Sequence, residues 1–550
     1  MKKLKKIVSL MLVLALSLSF SLLTACSNKE SEDNEPTTEN TAPGELAPVA
    51  LDDKYGACYQ VFLYSFCDSN GDGIGDINGL TSKLDYIKDL GFDSIWLLPF
   101  HQSSTYHKYD VIDYYSIDKQ YGTMEDFDNL IKACNEKEID VYMDFVINHS
   151  SSQHKWFKEA KKYLQNLEEG KEPSAEECKY YEYYNFVQAD SMPPKHDKVT
   201  KTDNWYYECV FWNQMPDLNL DSEAVRKEIE DITKFWIDKG IKGFRLDAAF
   251  HYFDGNVNKS TEALKWFCDY VYSIDPSLYI VAEVWSDSST IEKFYESGID
   301  SLFNFPYATS DGAFVRAVNR CGDGNSGAKL AETIVKKHTG LKSINDKIVD
   351  GVFIANHDTG RAAGYLHYKD MKVKFGAALQ LFTPGKAFVY YGDELGMTGS
   401  GPKDEDKRAP MYWTSGTSSE MTKGPSGMEP KEHQFPAYDV QKDDPNSVYN
   451  YYKKALLIRN AFPSIARGTP AVMEEVTTQN GNVYATSRTI DGETVYVLFN
   501  VDDMYPATVT VSKTTYPYSG MAATLNVGAE DATLSGETLT IPAFGCVILK

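Results

Sequence analysis

The chain has 550 residues, of which 42% are hydrophobic and 13% are aromatic. This composition excludes a disordered or collagen-like chain, and the length predicts about three to four domains, or one large barrel with additions. The formal net charge of −24 makes nucleic acid a poor partner, because the phosphate backbone would be repelled.

The first 25 residues have the pattern of a targeting segment. Four lysines precede an apolar run at residues 7–23, and small residues follow it. The sequence Leu23-Thr24-Ala25-Cys26 resembles a bacterial lipobox, in which cleavage precedes the cysteine and a lipid is attached to its thiol. We therefore expect residues 1–25 to be a lipoprotein signal peptide and Cys26 to anchor an extracellular protein to the bacterial cell membrane. An ordinary signal peptide, or a membrane anchor with a chance cysteine, is the alternative.

Residues 51–466 alternate between apolar runs typical of strands and the spacing of amphipathic helices. Strands are predicted at 56–66, 92–100, 140–147, 243–248, 279–285, 301–305, 351–357 and 386–391. Helices are predicted at 77–90, 125–137, 222–239, 261–272, 291–297, 330–338, 370–381 and 447–462. Eight strands that alternate with helices indicate the α/β class and a (β/α)8 TIM barrel.

Three regions fall outside this alternation. Residues 26–50 are polar, acidic and contain three prolines, which predicts a flexible linker. Residues from about 150 to 215 are too many for a simple crossover, and they predict an inserted subdomain after strand 3 on the active face. Residues 467–550 contain short alternating runs separated by turn signals, which predicts a C-terminal antiparallel β-sandwich.

Polar residues stand at the ends of four predicted barrel strands. They are His149, Arg245 with Asp247, Glu283, and His357 with Asp358. The carboxyl ends of barrel strands form the catalytic face, so these side chains should converge on one rim. A single aspartate there is more often a helix cap, but four strands with matching residues favour a catalytic site.

Carboxylates with arginine and histidine suit glycoside hydrolysis, which needs one carboxylate nucleophile and one carboxylic acid. Asp247 and Arg245 alternate along the strand and therefore face the same way, so the cation should keep Asp247 ionised. Glu283 has apolar neighbours in the sequence, which should raise its pKa and keep it protonated. Asp358 would stabilise positive charge or hold sugar hydroxyls.

These strand-end segments resemble the four motif regions of the α-amylase family, glycoside hydrolase family 13. The matching runs are Asp144–His149, Gly243–His251, Glu283–Trp285 and Asn356–Asp358, in the family's order. The resemblance covers about residues 51–550. It implies a retaining double displacement with Asp247 as nucleophile, Glu283 as acid/base and Asp358 as transition-state stabiliser. It also implies substrate binding by Tyr109, His149, Arg245 and His357.

A calcium loop is predicted after the first strand. The segment at 68–76 supplies oxygen ligands at every second position with glycines between them, as in the first half of an EF-hand loop. Gly79 stands where the closing glutamate of an EF-hand belongs, but the segment resembles the α-amylase family's calcium loop. That resemblance implies Ca²⁺ as cofactor, held by Asp68, Asn70, Asp72, the Ile74 carbonyl and Asp76. Asn148 matches a ligand of a second family calcium site, whose partners the sequence does not reveal.

Departures from the family pattern bear on the substrate. Family exo-glucosidases that act on α-1,6 bonds have an aspartate where Tyr106 stands, and usually a valine where Ala248 stands. Both departures favour an open cleft and cleavage of internal α-1,4 bonds. Met215–Asn219 instead resembles the neopullulanase-like group, and Arg408–Trp413 resembles a glucosidase segment. Phe250 replaces a lysine common in α-amylases, which leaves the contacts on the reducing side open.

The sequence therefore predicts a lipid-anchored, extracellular α-amylase-type hydrolase of starch-like α-glucans and maltooligosaccharides. Neopullulanase or cyclomaltodextrinase activity, α-glucosidase activity and transglycosylation are alternatives within the enzyme class. An alternative from another class is a non-catalytic, glucan-binding lipoprotein.

Overall fold

The computed structural model describes residues 46–51, 53–200, 204–399, 401–429 and 432–550. The predicted signal peptide, Cys26 and most of the predicted linker lie outside these ranges. Within them, none of the helices combines the length and the apolar character needed to cross a membrane.

Eight parallel strands form the central sheet, and each lies within one predicted strand. In chain order, β1 to β8 are Ala57–Val61, Ser94–Leu97, Asp140–Phe145, Gly243–Leu246, Tyr279–Ala282, Ser301–Leu302, Gly351–Val352 and Lys386–Tyr390. Strands β1 to β6 pair in sequence order, and β8 pairs with both β1 and β7. A parallel bridge between Phe303 and Gly351 joins the end of β6 to β7, so the sheet closes. The predicted (β/α)8 barrel is confirmed.

Helices connect the strands, largely where the spacing predicts them. The α-helices of this region are Leu63–Phe66, Ile77–Ser82, Leu84–Leu90, Met124–Glu136, Glu223–Asp238, Val257–Ile274, Ser288–Phe294, Ala313–Asn319, Ser326–Ile344, Ala362–Tyr365, Asp370–Leu381, Asp404–Lys407, Tyr438–Gln441, Val448–Ala461 and Ser464–Arg467. Short 3-10 helices lie at Ala249–His251, Tyr295–Ser297, Phe305–Tyr307 and Asp393–Leu395. The single helix predicted at 77–90 is wrong in one respect, because Lys83 leaves helical geometry and divides it in two.

Capping residues explain where several helices begin and end. The Thr123 hydroxyl accepts the backbone N–H of Asp126, whose carboxylate accepts the N–H of Thr123 in return, which forms a capping box. Ser222 and Ser447 cap the helices before β4 and after β8 with their hydroxyl groups. Gly91 ends the helix Leu84–Leu90 at a φ of 106°, a left-handed conformation that glycine adopts without strain.

Two loops on the carboxyl side of the barrel have structure of their own. After β2, the segments His101–Ser103 and Val111–Ile117 form an irregular antiparallel hairpin that the sequence did not predict. After β3, the predicted insertion contains the helix Lys155–Gln165 and the 3-10 helix Lys179–Tyr183. Its three short antiparallel strands are Phe186–Gln188, His196–Lys198 and Trp205–Glu208.

Aromatic packing holds the insertion together. The Phe157 ring meets Tyr207 edge to face at 4.8 Å and Tyr184 at 5.1 Å between ring centroids. Such pairs each add about 0.5–1.5 kcal/mol beyond the apolar area that they bury. The aromatic composition of this segment therefore builds a small core of its own beside the barrel.

The C-terminal region contains two antiparallel sheets, as the predicted sandwich requires. The five strands of the first sheet, in spatial order, are Thr469–Val472, Val483–Ile490, Glu493–Asn500, Cys546–Leu549 and Met521–Leu525. The second sheet contains Ala507–Thr510, Thr538–Ile541 and Thr533–Ser535, and a short helix spans Glu474–Thr477. Phe544 stacks on the barrel residue Phe375 at 4.2 Å, which joins this region to the barrel. The predicted domain boundaries themselves stay predictions.

Candidate active site

The guanidinium of Arg245 lies at the centre of the predicted site. Its Nη1 donates to Asp247 at 2.6 Å and to Asp144 at 2.8 Å, and its Nη2 donates to Glu283 at 2.8 Å. Arg245 and Asp144 are fully buried, so these charge-assisted bonds lie where water screens them little. One cation therefore orients three carboxyl groups.

Strand register explains why these groups meet. Asp144 on β3 pairs with Arg245 on β4, and Arg245 pairs with Val281 on β5. Paired residues of parallel strands share a face, so Arg245 points to the same side as Asp144. Asp247 follows β4, and Glu283 follows β5. All four side chains therefore reach the carboxyl end of the barrel, as predicted.

The backbone beside Asp247 is unusual. Ala248 adopts a left-handed conformation with a φ of 50°, which costs energy for a residue other than glycine. In this conformation its N–H donates to Glu283 at 3.3 Å. The turn therefore gives Glu283 a second contact beside the one from Arg245.

Glu283 is held in its protonated form near neutral pH. Burial raises the pKa of its carboxyl group most, and the nearby charges of Asp247 and Asp358 raise it further. Arg245 opposes these effects, and the resulting pKa is about 8. A carboxylic acid with this pKa can donate a proton at neutral pH.

The pKa of Asp358 is shifted in the opposite direction, to below its usual range. Burial disfavours its ionised form, but the hydrogen bond from His357 and the charges of Arg408 and Arg245 outweigh burial and hold its pKa below the usual range. Nη2 of Arg408 donates to Asp358 at 2.8 Å, and Nε2 of His357 lies 2.9 Å from it. Asp358 is therefore a carboxylate at neutral pH.

A chain of hydrogen bonds fixes His357 and Tyr109. The Gln60 amide donates to Nδ1 of His357 at 2.8 Å, which leaves the ring hydrogen on Nε2. Nε2 then faces the Tyr109 hydroxyl at 2.6 Å, and this hydroxyl donates to Asp144 at 3.0 Å. The rings of Tyr109 and His357 are nearly parallel, 7° apart and 5.6 Å between centroids. Burial lowers the pKa of His357, so the ring stays neutral.

His149 lies on the same rim and has a free ring nitrogen. Its Nδ1 lies 3.3 Å from the Asn148 amide, and among the described residues its Nε2 has no hydrogen-bond partner although it is buried. A buried polar atom without a partner is costly, and it is expected where a ligand completes the hydrogen bonding. The Asn148 amide also donates to Asp217 at 3.3 Å.

A cavity of about 450 Å³ opens over these groups, a size suited to a small ligand or to part of a chain. Its lining residues are His107, Tyr109, His149, Phe211, Trp212, Met215, Asp247, Ala248, Glu283, Trp285, Asp358, Asp404 and Arg408. Three aromatic rings at its mouth are half exposed, namely Phe211 at 49%, Trp212 at 45% and Trp285 at 51%. Exposed rings of this kind offer flat apolar faces with polar surroundings.

The structure therefore brings together all seven residues predicted for catalysis and substrate binding. Sequence reasoning gave no role to Gln60, Asp144, Trp212 or Arg408. Gln60 could have been noticed because it is a polar residue within the apolar strand β1. Arg408 was noted in its sequence segment, but nothing in the sequence connects it with Asp358.

The predicted calcium loop lies apart from the cavity, between the helix Leu63–Phe66 and the helix Ile77–Ser82. Its donors are oxygen atoms of Asp68, Asn70, Asp72, Ile74 and Asp76, which is the chemistry that Ca²⁺ prefers. In the described part of the chain, however, no group of three or more His, Cys, Asp or Glu residues is placed to hold a metal ion.

The loop's carboxylates accept hydrogen bonds from the chain itself. Asp68 accepts the N–H groups of Gly71 and Gly73, each at 2.7 Å. Asp76 accepts the N–H of Gly79 at 2.7 Å and so caps the following helix. The donor chemistry thus suits calcium, but the carboxylates are not gathered around one point. We assign no catalytic step to a metal, and calcium binding stays a prediction.

Comparison with known proteins identifies the family. The model of the α-amylase catalytic domain matches residues 60–468. Alpha-amylase 3 of Dictyoglomus thermophilum is 37% identical over 449 residues, which cover 81% of this chain and 84% of that protein. Trehalose synthase/amylase TreS of Mycolicibacterium smegmatis is 29% identical, and the aligned region covers 78% of this chain and 81% of that protein. A probable oligo-1,6-glucosidase 2 of Bacillus subtilis is 27% identical, covering 76% and 85%.

Solved structures agree with the family model. The structure of Eubacterium rectale Amy13B superposes with a TM-score of 0.88 at 41% identity, and it covers 92% of this chain and 97% of its own. A match of this extent includes the barrel, the insertion and the C-terminal sheets. The chain therefore belongs to the α-amylase family, glycoside hydrolase family 13, and is an enzyme of that type.

Proposed function

We propose that this protein is a retaining hydrolase that cleaves internal α-1,4 bonds of starch and maltooligosaccharides. Asp247 is the nucleophile, Glu283 the general acid and base, and Asp358 the stabiliser of the transition state. The observation that carries this proposal is the pair of carboxyl groups on neighbouring nitrogens of Arg245, of which Glu283 has its pKa raised to about 8.

The chemistry follows from this pair. The Asp247 carboxylate attacks the anomeric carbon while Glu283 gives its proton to the glycosidic oxygen, so the bond to the leaving sugar breaks and a glycosyl ester forms. Glu283, now ionised, takes a proton from water, which attacks the same carbon and releases Asp247. Two displacements return the original α configuration. Two carboxyl groups bound to one planar guanidinium lie side by side, which supports this order over direct attack by water.

The neighbouring groups support the charge that develops on the sugar. An ionised Asp358 faces the oxocarbenium-like transition state and accepts sugar hydroxyls. Tyr109 stacks against the ring, and the single Nε2 hydrogen of the neutral His357 is shared between Asp358 and a sugar hydroxyl. A substrate hydroxyl forms a hydrogen bond with the free Nε2 of His149, which explains why the enzyme tolerates that unpaired atom.

Two observations favour cleavage within a chain over removal of terminal glucose. Tyr106, rather than a carboxylate, stands beside the site, and its hydroxyl accepts from Arg408 at 3.0 Å. The relative with the higher identity carries the name α-amylase, whereas the probable oligo-1,6-glucosidase is less similar. Neopullulanase or cyclomaltodextrinase activity remains the second candidate, since Met215, from the neopullulanase-like segment, lines the cavity.

Product analysis tests the proposal. We expect amylose to give a mixture of maltooligosaccharides whose new reducing ends are α when NMR spectra are recorded at once. Pullulan and cyclodextrins should be poor substrates. Product of β configuration would contradict the retaining chemistry. Efficient cleavage of pullulan or cyclodextrin would favour the second candidate, and release of glucose alone would favour an exo-glucosidase.

The location of the enzyme belongs to the same proposal. We propose an extracellular enzyme held at the bacterial cell membrane by a lipid on Cys26, because starch is too large to enter a cell. The leader pattern and its lipobox support this proposal, and Ca²⁺ bound by the 68–76 loop would add to stability rather than to chemistry.

A further inference from the structure

Tyr109 lies on a loop that backbone hydrogen bonds do not hold. The loop spans residues 104–110, between the two strands of the irregular hairpin. Outside the paired strands, no backbone-to-backbone hydrogen bond among the described residues involves this loop. The Tyr109 ring must nevertheless keep one position, because its hydroxyl meets Nε2 of His357 at 2.6 Å and donates to Asp144 at 3.0 Å. Side chains must therefore hold the loop.

Lys108, directly before Tyr109, is a buried lysine in a strained backbone conformation. Its side chain is 2% exposed, and its φ of 66° lies in the left-handed region, which costs energy for a residue other than glycine. Its Nζ lies 3.0 Å from the Asp118 carboxylate, donates to Gln120 at 2.7 Å and lies 5.3 Å from the centre of the Tyr121 ring. A buried ammonium group is costly unless it is paired and hydrogen-bonded, and these contacts supply both.

Asp118 connects this lysine with the strand at which the loop begins. The oxygen of Asp118 that meets Lys108 also accepts the N–H of Ser103 at 3.1 Å, and the other oxygen accepts the N–H of Gln120 at 3.0 Å. Ser103 is the last residue of the first hairpin strand, and Asp118 follows the second strand. One buried carboxylate therefore ties the residue before Tyr109 to both ends of the hairpin.

A second anchor directly follows Tyr109. The Asp110 side chain is fully buried and accepts the hydroxyl groups of Ser103, Ser104 and Thr105. These donors lie where the loop begins, so Asp110 closes the loop upon itself. The tyrosine therefore stands between two buried charged residues that have different anchors.

We propose that Lys108, through its buried ion pair with Asp118, is a positioning residue for the Tyr109 ring in catalysis. This inference rests on the proposed function, in which the ring stacks against the reacting sugar. Glycine at position 108 would adopt the same turn without strain but could not form the ion pair, so the strain is explained by what the ammonium group holds. Displacement of a positioning group by about 1 Å can cost on the order of 10²-fold in rate.

Variants at Lys108 separate its charge from its backbone conformation. Lys108→Met keeps a long side chain without the ammonium group, and Lys108→Gly also removes the backbone strain. We expect each to lower kcat/KM on maltooligosaccharides by at least about tenfold. Lys108→Arg keeps the cation and should retain more activity than Lys108→Met, although arginine is larger. Thermal melts followed by circular dichroism check folding, and Lys108→Gly carries the test if Lys108→Met is unstable.

A matched control is available elsewhere in the barrel. Lys374 is also buried, with 5% of its side chain exposed, and its Nζ lies 2.6 Å from Asp370. It lies in the helix Asp370–Leu381 and does not line the active-site cavity. Lys374→Met therefore removes a buried ion pair without a link to Tyr109, and it should leave kcat/KM within about twofold of the wild type even where it lowers the melting temperature.

A double-mutant cycle shows whether Lys108 acts through Tyr109. Tyr109→Ala removes the ring but keeps Asp247 and Glu283, so residual activity can be measured. In that background there is no ring to position, and Lys108→Gly should change kcat/KM by less than about twofold. A general loss of structure would instead lower kcat/KM by the same factor with and without the ring.

Crystal structures distinguish failure of this inference from failure of the proposed function. In Lys108→Gly the Tyr109 hydroxyl should lie outside hydrogen-bond distance of His357 and Asp144, an observation that needs no activity. A ring that stays in place, an unchanged kcat/KM in Lys108→Gly, or equal losses in both backgrounds would overturn the positioning role while amylose hydrolysis by the wild type still supports the proposed function. A wild type that does not hydrolyse amylose would overturn both.

Discussion

At the scale of single residues, Arg245 binds three carboxyl groups that differ in their proposed roles. Asp144, Asp247 and Glu283 share its guanidinium, but burial raises the pKa of Asp144 to about 7 and that of Glu283 to about 8. The suitability of Glu283 as a proton donor is therefore set by its buried surroundings. Asp247, with a direct 2.6 Å bond to Nη1, keeps the shortest of the three contacts with the cation.

The sequence revealed the strand-end residues because strand period and strand ends are local patterns. Arg245 and Asp247 are two residues apart, and Asp247 and Glu283 directly follow β4 and β5. Arg408 could not be predicted in this way, because it is 50 residues from Asp358 and lies in the loop after β8. Only the closed barrel brings these two loops together.

Glu283→Gln should slow hydrolysis according to the leaving group. The variant keeps the contact with Arg245 but has no proton to donate, so kcat on maltooligosaccharides should fall by about 10²–10⁴. A dinitrophenyl α-maltoside needs no proton on its leaving oxygen, so formation of the glycosyl ester should fall far less. Steady-state and burst kinetics on both substrates measure this. Equal losses on both substrates would remove Glu283 from the acid role. Asp247→Asn serves as the control, because loss of the nucleophile should abolish both reactions.

Arg408→Gln should move the acid limb of the pH profile. Arg408 helps to hold the pKa of Asp358 below its usual range, and the carboxylate must be ionised to act. Without that charge the pKa of Asp358 rises, so kcat/KM should begin to fall at a higher pH as the solution is acidified, by about one unit or more. The alkaline limb near pH 8, set by Glu283, should move little.

The conservative variant separates charge from packing. Arg408→Lys keeps the cation and should keep most of the acid limb in place, although it loses the contact with Tyr106. Circular dichroism checks that both variants fold. An acid limb that does not move in Arg408→Gln would show that Asp358 does not depend on this cation.

At the scale of elements, the loops on the carboxyl side give the barrel its site, and they are the parts least visible in the sequence. The eight strands could be predicted because their apolar runs are buried on both faces. The hairpin of His101–Ser103 and Val111–Ile117 could not, because its first strand has three residues and its pairing register shifts twice. This hairpin nevertheless carries Tyr109 between its strands.

The 68–76 loop gives a prediction at this scale. If Ca²⁺ binds the native loop and not the unfolded chain, chelation should lower the melting temperature by several degrees and added calcium should restore it. Differential scanning calorimetry with EDTA, then with excess Ca²⁺, measures this. Asp72→Ala should lower the melting temperature and abolish the response, since the Asp72 carboxylate accepts only the Ile74 N–H within the loop. A melting temperature that EDTA leaves unchanged would contradict the site.

At the scale of the whole molecule, the barrel, the insertion and the loop after β8 together line the active-site cavity. Trp212 of the insertion and Asp404 of the β8 loop both line this cavity, although they are far apart in the sequence. No local pattern could predict this contact, because it depends on closure of the barrel. The C-terminal sheets pack on the barrel through Phe544 and Phe375 and, among the described residues, contribute no lining residue to this cavity.

The last prediction concerns how the whole molecule is held at the cell. If the leader is a lipoprotein signal, the mature chain begins at Cys26 and carries a lipid there, so the native protein should partition into the detergent phase of a Triton X-114 extract. Cys26→Ser should move it to the aqueous phase or block its processing, because the lipid would then be missing. Its kcat/KM on soluble maltooligosaccharides should stay unchanged, since the substitution alters none of the proposed catalytic and substrate-binding residues. Mass spectrometry of the N-terminal peptide decides the matter, because a mature chain that begins at any other residue would refute the lipid anchor.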